Sequence, residues 1–75
     1  MGKSQSFITK DIRALRARNG EMTQQNLADR VGVTRQTVHA IESNKYSPSL
    51  EVAFRISRVF GVPLEKVFSY NLTQP

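Results

Sequence analysis

The sequence contains no cysteine and a single histidine, His39. The first absence excludes disulfides and thiolate metal sites. One imidazole alone cannot assemble a zinc site of the usual ligand count. No apolar run approaches the ~20 residues that a membrane span needs. Met1 to Gln5 carries one lysine and no apolar block behind it, so it does not read as a signal peptide. Alternating β-branched runs are also absent, and strands are not expected. The carboxylates Asp11, Glu21, Asp29, Glu42, Glu51 and Glu65 are scattered. No base and orienting acid accompany the serines and threonines in a recognisable order. The expectation is a binding protein rather than an enzyme, with no cofactor, no metal and no membrane contact. Its expected location is the cytoplasm.

What is present is a chain of 75 residues, enough for one domain. A chain this short buries only about 60% of its unfolded surface, so its core must be efficient. Eleven Lys and Arg face six Asp and Glu, a net charge of +5. On charge alone that sign favours an anionic partner, with nucleic acid first and a membrane surface second, but Asp11 among the basic residues near the start argues against the membrane. Residues 1–6 and 70–75 read as flexible polar tails around a folded domain at 7–69.

Hydrophobic periodicity predicts five helices and an all-α, compact five-helix bundle. The first covers Phe7 to Asn19, with Ile8, Ile12 and Leu15 on one stripe and Asn19-Gly20 as its stop. The second covers Gln24 to Val31, capped by Thr23 and facing inward with Leu27, Ala28 and Val31. The third covers Arg35 to Ser43, capped by Thr34, with Val38 and Ile41 inward. The fourth covers Leu50 to Phe60, with Ser49 as its cap and Glu51 in its first turn, where the helix dipole favours an acid. Pro63 opens a short fifth helix that offers Leu64, Val67 and Phe68 to the core.

Only Gly32-Val33-Thr34 joins the second and third helices. A turn so short, containing glycine, fixes two short helices at a steep angle, with Val33 plugging the corner. At ~100° per residue, the side of the third helix opposite Val38 and Ile41 carries Gln36, Ser43, His39 and Ala40, with Arg35 on the flank. Arg can bind guanine O6 and N7 bidentately, Gln can do the same to adenine N6 and N7, and Ala can touch a thymine methyl. An ordinary solvated helix face would also be polar. Position on the second helix of a short-turn pair, in a basic chain, favours reading of duplex DNA.

From Ile12 to Phe68 the chain resembles the phage repressor/Cro type of helix-turn-helix regulator, the XRE family. The resemblance runs through Ile12-Arg13-Ala14-Leu15-Arg16, Thr23-Gln24-Gln25-Asn26-Leu27-Ala28, Val31-Gly32-Val33-Thr34-Arg35-Gln36-Thr37-Val38, Ile41-Glu42, Pro48-Ser49-Leu50 and Phe60-Gly61-Val62. It implies a lambda-repressor-like bundle whose third helix reads DNA, usually as a homodimer. Carried over by position, Arg35, Gln36 and Ala40 face bases. Thr37 and His39 lie at the groove edge, with His39 among the base contacts and Thr37, beside Thr34, among the backbone contacts. Gln24 holds a phosphate at a helix N-terminus, and Ser43, Asn44 and Lys45 grip the backbone. Arg16 and Glu42 pair to brace the third helix against the first, with Arg16 also within reach of a phosphate.

Three departures from the family pattern stand out. The loop from Asn19 to Met22 is one residue longer than usual, with Met22 in the usual apolar place. Asn44 stands where Gly is frequent, and Asn26 replaces a frequent Glu, which leaves the capping box incomplete.

The fourth helix is apolar around most of its circumference, so it is either central to the core or also part of a subunit contact. Val52, Phe54, Val59, Tyr70 and Leu72 are the expected homodimer residues. No small-molecule ligand is expected, while a protein partner stays open. The alternative reading is an antitoxin-like or scaffold protein-interaction module built on the same fold, which would bind its partner without any effect on DNA.

Overall fold

The structure, a computed structural model, describes residues 8–70. The tails expected at 1–6 and beyond Tyr70, with Leu72, lie outside the described residues. The elements run β1 (Ile8–Lys10), α1 (Ile12–Arg18), α2 (Gln24–Val31), α3 (Arg35–Glu42), α4 (Leu50–Phe60), α5 (Leu64–Val67) and β2 (Phe68–Tyr70). The five expected helices are all there, and the fold is an all-α bundle closed by one small strand pair.

That strand pair corrects two expectations. The first helix begins at Ile12 rather than Phe7, and strands do occur. β1 and β2 are antiparallel, with Ile8 opposite Tyr70, Thr9 opposite Ser69 and Lys10 opposite Phe68. The ladder therefore includes Tyr70, one residue beyond the edge expected for the folded domain. The main chain of Ile8–Lys10 is thereby paired with Phe68–Tyr70, distant in sequence, instead of extending α1. The Asp11 N–H then donates to the Val67 carbonyl at 2.9 Å, tying the start of α1 to the end of α5.

The helix boundaries follow from cap chemistry. Thr23 Oγ1 accepts from the Asn26 N–H at 3.0 Å, and Asn26 Oδ1 accepts from the Thr23 N–H at 3.4 Å. The capping box is thus complete, against expectation: the Asn amide oxygen reaches back as a Glu carboxylate would, at the cost of a long bond. Ser49 Oγ accepts from the Val52 N–H at 3.2 Å. Gly32 and Gly61 close α2 and α4 with φ of 87° and 67°, a conformation glycine adopts without steric penalty. A Cβ at position 32 would also meet Arg55 Nη1 at 3.4 Å. That guanidinium donates to the Val31 carbonyl at 3.0 Å and so satisfies the end of α2 from α4.

The core joins Ile12 and Leu15 of α1, Leu27, Ala28 and Val31 of α2, Val38 and Ile41 of α3, Ile56 and Phe60 of α4 and Val67 of α5. Met22 is buried with them, in the role expected from the longer loop. Val33 packs against this cluster from the turn. Ser57 of α4 is buried too, and its hydroxyl donates to the Phe54 carbonyl at 2.8 Å. Val52 and Val59 pack partly buried against the core. The apolar width of α4 is therefore consumed by the core more than expected, leaving Leu50 and Phe54 as its exposed large hydrophobics, 67% and 47% exposed.

Candidate nucleic-acid interface

Two core residues set the rotation of α3. Val38 and Ile41 are 1% and 0% exposed, which turns Arg35, Gln36 and His39 to solvent and leaves Thr37 and Ala40 half-buried. The start of the helix is fixed by Thr34. Its Oγ1 accepts from the Thr37 N–H at 3.1 Å and lies 3.0 Å from Thr37 Oγ1. Arg35 and Gln36 thus project from the first turn of a capped helix.

The far end of α3 is held just as firmly. Glu42 accepts two bonds from Arg16: Nε to Oε2 at 2.8 Å and Nη2 to Oε1 at 3.0 Å. Gln24 Nε2 adds a third, to Oε1 at 3.0 Å. The remaining Arg16 nitrogen, Nη1, donates to the Met22 carbonyl at 2.9 Å. One carboxylate therefore links α1, α2 and α3, and the same guanidinium pins the loop before α2. The pair is largely buried, with side-chain exposures of 14% for Arg16 and 5% for Glu42. Burial pushes the Glu42 pKa up. The bonds from Arg16 and Gln24 and the charges of Arg16 and Arg13 outweigh it, and hold the carboxyl below its ordinary value. The ion pair implied by the resemblance is present. Gln24 differs from the expectation in one respect: its amide donates to Glu42, so a phosphate would receive only what hydrogen-bonding capacity that leaves, with the backbone N–H groups of the first turn of α2.

After α3 come Ser43, Asn44 and Lys45, all exposed. Asn44 has φ of 63°, the left-handed conformation that its short polar side chain tolerates better than most. The Ser43 hydroxyl donates back to the His39 carbonyl at 2.9 Å. The Lys45 N–H donates to the Ala40 carbonyl at 2.9 Å, closing the turn. Lys10, which sequence patterns placed inside the first helix, also arrives here: its Nζ donates to Asn44 Oδ1 at 2.6 Å. No local signal marks that contact, because the two residues are 34 apart in sequence.

The expected base-facing residues thus share one side of α3, and the expected phosphate-gripping loop continues from its end. The helix-turn-helix family model matches residues 12–67. The chain belongs to that family. Within it, the chain is 53% identical over 50 residues to an uncharacterized HTH-type transcriptional regulator of Methanocaldococcus jannaschii, covering 67% of this chain and 76% of the relative. It is 47% identical over 60 residues to one from Archaeoglobus fulgidus, covering 80% of this chain and 84% of the other. The uncharacterized HTH-type transcriptional regulator YgzD of Bacillus subtilis is 49% identical over 57 residues, covering 76% and 85%. In this helix-turn-helix protein the matched region spans α1 to α5 and leaves out β1, β2 and Lys10.

Among the described residues no group of three or more His, Cys, Asp or Glu could hold a metal ion. No helix there is long and apolar enough to cross a membrane.

Proposed function

We propose that this protein is a sequence-specific double-stranded DNA-binding transcriptional regulator that reads the major groove with the helix at 34–43. The observation that carries the reading is the outward face of α3, capped at one end by Thr34 and braced at the other by Glu42. Arg35, Gln36, His39 and Ala40 are the base contacts. Gln24, Thr34, Thr37, Ser43, Asn44 and Lys45 hold the sugar-phosphate backbone. The protein acts by binding, in the cytoplasm where the duplex is, and carries out no reaction. Repression is the simpler mode, since occupying an operator needs no surface beyond this one.

A homodimer places two such helices on one face of the duplex. Phe54 of α4, with the neighbouring exposed Leu50, supports an apolar subunit contact. Val52 and Val59 would support it from beneath, and the backbone of Tyr70 lies in β2. The same exposed pair favours the second reading, a protein-interaction module. That reading predicts a partner complex whose formation is indifferent to DNA.

Salt dependence separates the two. With about six phosphates neutralised by a dimer, log K against log salt should slope near −5. Duplex titrations from low to physiological salt, followed by fluorescence anisotropy, measure it. A flat dependence would remove the DNA reading and leave the interaction module.

A further inference from the structure

Lys10 stands outside the region that the family model matches, yet it meets the loop that follows α3. It ends β1, and its main chain lies opposite Phe68 of β2. The next N–H, from Asp11, is bonded to Val67. With the backbone held on both sides, the half-buried side chain is directed to Asn44. Asn44 is a neutral partner and cancels none of the ammonium charge. Among the described residues the ion pairs are Arg16–Glu42 and Arg55–Glu51, so Lys10 has no carboxylate partner there. Arg13 lines the same cleft as Lys10 and Glu42. Glu42 is already engaged by Arg16 and Gln24. The end of α3 is thereby flanked by three cations: Lys10, Arg13, whose charge also acts on Glu42, and Lys45 in the loop that follows.

We propose that Lys10 and Arg13, together with the 43–45 loop, form a binding site for a backbone phosphate beside the bases read by α3. This rests on the DNA reading above and extends it: the strand pair becomes part of the interface, because β2 holds Lys10 in place. An ammonium has three donors, of which Asn44 takes one, and the others are free to meet phosphate oxygens. Partial burial opposes the charged form of Lys10 and lowers its pKa. An incoming phosphate would reverse that penalty, since it supplies the missing counter-charge.

The test uses the full chain and a labelled duplex of random sequence, with affinity followed across a salt series. Lys10→Gln should weaken binding about tenfold, the equivalent of one charge-assisted hydrogen bond, and make the salt slope shallower by about one per subunit. Lys10→Arg should restore both. Arg58→Gln on α4 removes the same charge away from the loop and should change each far less. The proposal is overturned if Lys10→Gln matches Arg58→Gln. It is equally overturned if affinity falls with the slope unchanged, which would make Lys10 only a brace for Asn44. If the wild type shows no salt-dependent duplex binding, the DNA reading itself falls and takes this site with it. That outcome is distinct, because it precedes any variant.

Discussion

Glu42 is the residue on which the geometry of α3 depends, and its carboxylate is ionised because three hydrogen bonds favour the charged form. Removing one partner of a buried pair strands the other charge, so Glu42→Gln should lower stability by about 3 kcal/mol in chemical denaturation. The folded-state pKa lies below the ordinary one. The stabilisation is therefore fully present above the unfolded value of about 4.3 and fades as pH falls through the lower folded value. The wild-type melting temperature should drop more steeply than that of Glu42→Gln below about pH 4.3; parallel curves would contradict this. Gln36 is the opposite kind of residue, exposed and outside the core. Gln36→Ala should leave the unfolding free energy within about 0.5 kcal/mol of wild type. It should also relax preference at one base pair per half-site, worth roughly 1–3 kcal/mol. A large loss of stability, or unchanged preference at every position, would mean the outward side of α3 is elsewhere. Both residues were legible in the sequence, Gln36 from helical periodicity and Glu42 from the family pattern. The Gln24 bond to Glu42 was not, because a polar side chain at a helix start reads equally as a phosphate contact.

At the scale of elements, the helices announced themselves through caps and glycine stops, whose chemistry lies within four residues of each boundary. Thr34 shows how much rests on one of them. Its hydroxyl satisfies the Thr37 N–H, so Thr34→Ala should cost about 1 kcal/mol and fray the turn that carries Arg35 and Gln36. Hydrogen exchange at the Thr37 amide reads this directly, and protection equal to wild type would contradict it. The strands escaped the pattern for a physical reason. Each is three residues long, too short for alternation to register, and each pairs with the opposite end of the described chain. Lys10 was misplaced for the same reason. The shares of α4 facing core and solvent also depend on packing: Val52 and Phe54 look alike in sequence, yet only Val52 packs against the core.

For the molecule as a whole, net charge and the family pattern favour duplex DNA, and the loop proposed to grip its backbone follows directly on the helix proposed to read its bases. A two-fold dimer would set its recognition helices about 34 Å apart, one turn of the duplex. Site preference and assembly are thereby linked, because a symmetric protein selects a symmetric site. The most direct measurement is selection of bound sequences from a pool of random duplex DNA. The account predicts an enriched motif with two inverted half-sites centred about 10 base pairs apart. A pool that stays random through successive rounds, with the wild-type protein folded, would contradict it.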